Sequence, residues 1–482
     1  IEAARNLLDL QGRLPAGFNA EDQLTGAVAA HNMLQRHGVA YVADEVGLGK
    51  TYVALAVVAL MRHFNPGMRV LYIAPKENLQ RKWIAETRKF VRNNVRFADL
   101  RVRGADDRPL RELVKCDNLR ELMREVVLDP DRDFYLRLTS FSIAQYARKG
   151  GDGDLWRAYR EAAETHLPWL KFSLRSKEEF KDEFAKSLNL LLPRFDLVVM
   201  DEGHNLKHGF GDQVATRNRV LGIAMGHPDV SVDRSLFKHY GPRAGKVLFL
   251  SATPLEGSYA QLWNQLDVFG KGGAFKELIG KGTEEEKQEV ARKFLIRRVN
   301  RMRVAGQELT KNQYRREWRA GGVHLHDEPM AIDNDRQKLV VALVQKKVSE
   351  LLDDPRFNRR FQIGMLASFE SFLQTAKVDP EEGGTFDDAD QTRDDLEREG
   401  IDVHQLNRLA RDYRKEFDLE LPHPKMDALV ERLQHSWRTG EKALVFVRRV
   451  HSVRELKNKL DDSYDQWLLR TLLQKLTPAV HG

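Results

Sequence analysis

Apolar residues along this chain gather into short, nearly unbroken runs instead of alternating with polar ones. The clearest are Val39–Ala43, Val70–Ala74, Leu197–Met200, Val247–Leu250 and Ala443–Val447. A strand with one wet face alternates; a continuous run predicts a strand covered on both faces, as in a parallel sheet. Helical patterns follow the first two runs directly, over Thr51–Met61 and Glu77–Phe90. This strand–helix–strand order predicts an α/β fold that binds its ligand at the C-terminal ends of the strands.

Two long stretches break the rhythm. From about Leu100 to Leu192 the chain is rich in charge and helix formers, which predicts a helical insertion with one strand at Phe134–Leu138. From about Gly257 to Leu421 it again reads as mostly helical. There Leu339, Val340, Leu343, Val344, Val348, Leu351 and Leu352 fall on one helical face. Pro380–Glu399 is acidic and contains glycines, and is expected to be a flexible loop. No internal repeat at a solenoid period is visible.

At 482 residues the chain exceeds one ordinary core, so two or three domains are expected. Hydrophobic content of 42% with 31% charged residues suits a folded soluble protein. The net charge of +7 leans towards a polyanionic partner. A single cysteine, Cys116, excludes an intramolecular disulfide framework and fits a reducing, cytoplasmic setting; it also lacks any sign of a catalytic partner. The longest apolar run, near Tyr52–Met61, is half the length a bilayer span needs, so no membrane partner is expected. No signal peptide is visible. The chain opens on Ile1 rather than Met, so its true N-terminus is expected to lie upstream.

Three strand ends carry candidate chemistry. "ADEVGLGKT" (Ala43–Thr51) places Gly47 and Gly49 between a strand and a helix that opens with Lys-Thr. The segment Asp44, Gly47, Leu48, Gly49, Lys50 and Thr51 fits a phosphate loop, with backbone amides and a helix N-terminus forming an anion nest. Lys50 would reach the β- and γ-phosphates, and the Thr51 hydroxyl would ligate Mg²⁺. The strict pattern wants a glycine where Asp44 stands, so a plain surface turn ending in a helix cap is the alternative. "FDLVVMDEGHNLKH" (Phe195–His208) runs an apolar strand into Asp201-Glu202. The first acid can hold Mg²⁺ and the second can polarise an attacking water; two solvated loop acids are the bland reading. "VLFLSATPLEGSYAQLWNQL" (Val247–Leu266) ends a strand in Ser251-Ala252-Thr253, whose hydroxyls could relay nucleotide state to a neighbouring domain; alone they would read as a helix cap.

Taken in this order, the three motifs resemble those of the superfamily 2 helicases, and within them the Swi/Snf-type DNA translocases, over most of the chain. "ADEVGLGKT" resembles that group's motif I, where an acid at the Asp44 position is a subfamily mark. "DEGHNLKH" is similar to its DEAH-x-L-K-N motif II, with Gly203 for alanine and His208 for asparagine. "LSATPLEGSYAQLW" resembles motif III with its following Leu262-Trp263, and Leu71–Phe90 resembles motif Ia and its helix. "LRLTSFSIA" (Leu136–Ala144) is similar to the strand and Thr-Ser that follow. Gln23 sits where the family's adenine-contacting glutamine would be. Lys293–Met302 resembles the segment after the first motor domain, and Pro424–Leu460 the entry to the second. The combination leans towards the bacterial RapA-like branch, which includes a transcription-linked ATPase and phage-defence ATPases.

The resemblance implies a RecA-like P-loop fold in three parts. Residues 1–256 would form the first RecA-like domain, 257–421 a helical extension and linker, and 422–482 the start of a second RecA-like domain. It implies ATP and Mg²⁺ as ligands, Lys50, Asp201 and Glu202 as the catalytic set, and Ser251 and Thr253 as coupling residues. It also implies an arginine from the second domain, yet no such motif follows Leu460. An arginine finger is worth roughly 10³–10⁵ in rate, so the chain as it stands is expected to bind ATP and hydrolyse it poorly, as part of a larger protein.

The expected partner is double-stranded DNA. Arg297–Arg319 carries eight Lys or Arg against two Glu, with Tyr314 and Trp318 interleaved. Arg297, Arg298, Arg301, Arg315 and Arg316 are candidate phosphate contacts, and "RFNRRF" (Arg356–Phe361) is similar and weaker; a solvated helix face is the alternative. His324 and His326 lack the further ligands of a zinc site. Two rival readings stay open: an RNA or RNA–DNA helicase of the same superfamily, and a nucleotide-gated scaffold that recruits protein partners through the 100–192 region.

Overall fold

The computed structural model describes residues 1–11, 20–45, 47–96, 113–143, 152–170, 172, 177–211, 216–255, 258–298, 301–304, 307–310, 334–352, 415–416, 424–441, 443–445 and 450–480. Two units emerge, residues 1–320 and residues 321–482.

The first unit is built on seven strands: β1 (Val39–Val42), β2 (Val70–Ala74), β3 (Leu113–Cys116), β4 (Asp133–Arg137), β5 (Phe195–Asp201), β6 (Ala244–Leu250) and β7 (Leu295–Ile296). They pair in the order β3-β4-β2-β5-β6-β1-β7, every pair parallel. This is the parallel α/β sheet that the continuous apolar runs predict, and it fits the RecA-like fold that the resemblance implies. A separate antiparallel pair, β8 (Arg301–Val304) and β9 (Gln307–Thr310), follows β7.

Successive residues of each strand point to opposite faces, and both faces are covered. Ala40, Val42, Val70, Tyr72, Leu197, Val199, Leu248 and Leu250 pack in one core with helices α1 (Glu2–Leu7), α2 (Ala20–His37), α3 (Lys50–Phe64) and α4 (Glu77–Asn94). Val39, Tyr41, Leu71, Ile73, Val198, Met200, Val247 and Phe249 belong to the opposite core. That core is closed by α5 (Leu119–Leu128), α6 (Asp152–His166), α7 (Lys177–Leu191), α8 (Thr216–Ala224), α9 (Tyr259–Asp267) and α10 (Glu284–Arg292). Helix α3 is buried without a break from Val53 to Met61, which is why its apolar run has no polar stripe.

The stretch from 100 to 192, expected as a helical insertion, does more than insert. It supplies the edge strand β3 and its neighbour β4 as well as α5–α7. Strand β3, Leu-Val-Lys-Cys, is only half-buried at three of four positions because it is an edge, so it never formed an apolar run. Likewise the region after 257, expected as helical, contributes β7 to the sheet and the β8–β9 pair.

Among the described residues the second unit contains the helices Asp335–Leu352, Pro424–Thr439 and Val450–Val480. Met426, Val430 and Leu456 form a small core, and Asp427 accepts hydrogen bonds from Gln337 Nε2 at 3.2 Å and Lys459 Nζ at 2.6 Å. Leu339 and Leu343, read as one apolar face, are exposed. Of the strand expected at Ala443–Val447, residues 443–445 carry no regular structure and 446–447 lie outside the described residues. The acidic segment 380–399, residues 356–361, His324, His326, Tyr314 and Trp318 also lie outside them. No helix among the described residues is long and apolar enough to cross a membrane.

Candidate active site

The sheet register brings the sequence motifs to one edge. Val42 of β1 and Asp201 of β5 both pair with Leu250 of β6, so the three strands end on one rung. The loop after β1, the acids at the end of β5 and Ser251 after β6 therefore leave the sheet side by side.

The loop is shaped by its glycines. Gly47 (φ 89°) and Gly49 (φ 79°) take left-handed conformations that a side chain would strain. Gly49 caps α3, and a Cβ there would lie 2.3 Å from Gln23 Nε2. Helix α3 begins at Lys50, so the first-turn N–H groups, including that of Thr51, have no acceptor within the helix and face the loop. Gln23 is buried against the loop, its Nε2 donating to the Leu48 carbonyl at 3.4 Å, while its Oε1 is buried with no hydrogen-bond partner.

Lys50 turns its ammonium back onto the loop, donating to the carbonyls of Asp44 at 2.9 Å and Glu45 at 3.3 Å. Burial lowers its pKa, and the charges of Glu202, Asp44 and Asp201 oppose that shift. One ammonium thus feels all three candidate acids.

Asp44 is wholly buried, and its partner comes from 254 positions away. Arg298, just past β7, donates its main-chain N–H to Asp44 Oδ1 at 2.8 Å and its Nε–H to Oδ2 at 3.0 Å; Nη2 also contacts Oδ2. This gives Arg298 a different role from the DNA contact expected of it: a buried carboxylate needs a paired cation, and Arg298 is that cation. Arg297 is exposed. Arg301 lies in β8 opposite Thr310. Arg315 and Arg316 lie outside the described residues.

Asp201 accepts the Trp83 indole N–H at 2.8 Å on Oδ2 and the Glu202 main-chain N–H at 3.0 Å on Oδ1. Burial nevertheless pushes its pKa up. Glu202 takes a left-handed backbone conformation (φ 49°), rare for a residue with a side chain and a mark of a constrained site. Its carboxylate lies 3.3 Å from His204 Nδ1, and hydrogen bonding to that ring holds its pKa below the usual range. The same Nδ1 is 2.8 Å from Ser251 Oγ, which accepts from the main-chain N–H of Thr253 at 3.1 Å. Glu202 and Ser251 thus share one ring nitrogen of His204, and Ser251 in turn receives the main chain of Thr253. Gly203 is needed beside it: a Cβ would sit 3.0 Å from both Tyr41 Oη and Phe249 Cδ1.

Sequence reasoning did not single out Trp83, His204 or the Arg298 contact. Trp83 and His204 lie inside motifs whose other residues carried the reading, and nothing local marks which strand end they meet.

The donor set fits a magnesium-bound triphosphate. Among the described residues no three His, Cys, Asp or Glu side chains cluster as a self-sufficient metal cage. Asp201 and the Thr51 hydroxyl are the kind of sparse oxygen set that suits Mg²⁺, which keeps waters and leans on phosphate oxygens. Lys50, spending its charge on neutral carbonyls, and the orphaned Gln23 Oε1 are groups a nucleotide would satisfy.

The family described as "Type III restriction enzyme, res subunit" matches residues 3–255, just over half of the chain. No protein of curated function matches the sequence. Similar solved structures include the SWI2/SNF2 ATPase core of Sulfolobus solfataricus in complex with dsDNA, at 15% identity and TM-score 0.35, covering 86% of this chain and 75% of that one. The Pyrococcus furiosus Hef helicase domain is 13% identical with TM-score 0.32, covering 92% and 80%. The type ISP restriction-modification enzyme LlaBIII bound to DNA is 10% identical with TM-score 0.26, covering 52% and 14%.

Proposed function

This chain belongs to the family described as the res subunit of type III restriction enzymes, and we propose that it is an ATP-driven translocase on double-stranded DNA. The observation that carries the reading is the convergence at one sheet edge of Lys50 with Asp201 and Glu202, close enough that both acids act on the lysine's charge.

The division of labour we propose is built on this geometry. Lys50 exchanges its two loop carbonyls for phosphate oxygens. The Thr51 hydroxyl and Asp201 would hold Mg²⁺, which when bound neutralises charge building on the phosphates. Glu202, kept ionised by His204, orients the attacking water and accepts its proton. His204 then senses the state of Glu202 and, through Ser251, transmits it to the main chain of Thr253. Gln23 offers its unpaired Oε1 to the adenine. Exposed Arg297, with Arg301, Arg315 and Arg316, supplies sequence-independent phosphate contacts. The RapA-like branch, with a setting in phage defence or transcription, is the context the motifs favour.

The test is ATP turnover of the full-length protein with and without duplex DNA, single-stranded DNA and RNA. Duplex DNA is expected to stimulate most. Lys50→Ala and Glu202→Gln are expected at near-background turnover, with ATP affinity lost mainly in the first. Equal or better stimulation by RNA would favour an RNA helicase, and ATP binding without stimulated turnover would favour a nucleotide-gated scaffold.

A further inference from the structure

We infer that Arg298 is a positioning residue of the nucleotide site: acting through Asp44, it holds the rising limb of the phosphate loop in the geometry Lys50 needs. The inference rests on the nucleotide reading above.

Asp44 has no exposed surface, and a carboxylate that deep must be neutralised and fully hydrogen-bonded. Lys50 is close by but does not do this, since its ammonium goes to the main-chain carbonyl of Asp44 and not to the carboxylate. Among the described residues the direct contacts come from Arg298, which engages Oδ1 with its main-chain N–H and Oδ2 with its guanidinium. With both oxygens held, rotation of the Asp44 side chain is fixed, and so is the peptide whose carbonyl receives Lys50.

The main chain reinforces the clamp. Ala43 N–H donates to Ile296 O at 2.7 Å and Glu45 N–H to Arg298 O at 3.2 Å. The β1–β7 pairing therefore continues beyond Val42 into the loop itself. Helix α2 closes the arrangement from outside. A Cβ on Gly26 would lie 3.3 Å from Arg298 Cζ, so a larger residue there would push the guanidinium back by a few tenths of an ångström. One turn earlier on the same helix, Gln23 rests on Gly49 and Leu48. The loop is thus gripped at its rising limb by Arg298 and at its descending limb by Gln23, both braced on α2. A guanidinium suits this task because its rigid fork fixes an acceptor's orientation as well as its charge.

The experiment measures Mg²⁺-ATP affinity by calorimetry, alongside thermal unfolding, for the full chain and for Arg298→Ala, Arg298→Lys, Lys50→Ala and the double variant Asp44→Leu/Arg298→Met. The double variant removes the clamp without leaving a lone buried charge. Arg298→Ala is expected to bind ATP at least ten-fold more weakly. Arg298→Lys should recover part of that loss, which mere loss of bulk would not allow. The double variant should melt higher than Arg298→Ala yet still bind weakly. Wild-type affinity in Arg298→Ala overturns the inference; if that variant does not fold, wild-type affinity in the double variant overturns it. If the unmutated chain binds no ATP, the nucleotide reading itself falls and this inference with it.

Discussion

The indole N–H of Trp83 points at Asp201 Oδ2 from 2.8 Å, so the carboxylate at the end of β5 is aimed by a residue on α4. Trp83 is itself buried and packs against Tyr72, ring centroids 5.7 Å apart. Replacing it with phenylalanine keeps most of that packing and deletes the hydrogen bond. Trp83→Phe is therefore expected to weaken Mg²⁺-supported ATP binding by roughly ten-fold, ~1.4 kcal/mol, with a smaller effect on ATP binding without metal. A magnesium titration at fixed nucleotide checks this; an unchanged half-saturation point would show that Asp201 needs no such guide.

The two adjacent acids are shifted in opposite directions, and that predicts a pH signature. Burial raises the pKa of Asp201, so the folded protein holds that proton more tightly than the unfolded chain does. Between the ordinary and the raised value, stability due to Asp201 falls as pH rises. Glu202 has the opposite sign: the bond to His204 lowers its pKa, so its stabilisation is present above the ordinary glutamate value and is lost as pH falls through the lower folded one. On acidification Asp201 should thus take up its proton at a higher pH than an ordinary aspartate, and Glu202 at a lower pH than an ordinary glutamate. Metal-dependent nucleotide binding is expected to begin fading at a pH above the ordinary aspartate value. Carboxyl titrations followed by NMR would read both groups, and an Asp201 midpoint at or below the ordinary aspartate value would overturn the assignment.

Gly203 stands where the related motif carries alanine, and Tyr41 and Phe249 explain the exchange. Their rings are stacked at 5.3 Å under the loop and leave no room for a methyl group. Gly203→Ala is expected to destabilise the first unit by about 1–3 kcal/mol, the usual range for overpacking a filled core. A lowered melting temperature with retained secondary structure is the expected result; an unchanged melt would mean that the two rings yield freely.

The parts of this protein that were legible in its sequence are those whose cause is local. Strands β1, β2, β5 and β6 are covered on both faces, and burial wrote itself into unbroken apolar runs. The loop after β1 was legible because its two left-handed turns demand glycines at fixed spacing before the helix. What escaped was either marginal or remote. Strand β3 carries Lys115 on a half-wet edge, and β7 is two residues long. The Arg298–Asp44 pair and the Trp83–Asp201 bond join residues 254 and 118 positions apart. No period encodes such a meeting; only the order of strands in the finished sheet does.

That order also governs how the protein comes into being. Strand β1 leaves the ribosome early, yet its two neighbours in the sheet are β6 and β7, made only when residues 244–250 and 295–296 are translated. At ordinary elongation rates the wait is roughly ten to fifty seconds. Throughout it the nascent β1 and the apolar helix behind it have no sheet to join, which makes them natural clients for a chaperone at the exit tunnel. The loop after β1 is braced only then, by the arrival of Arg298.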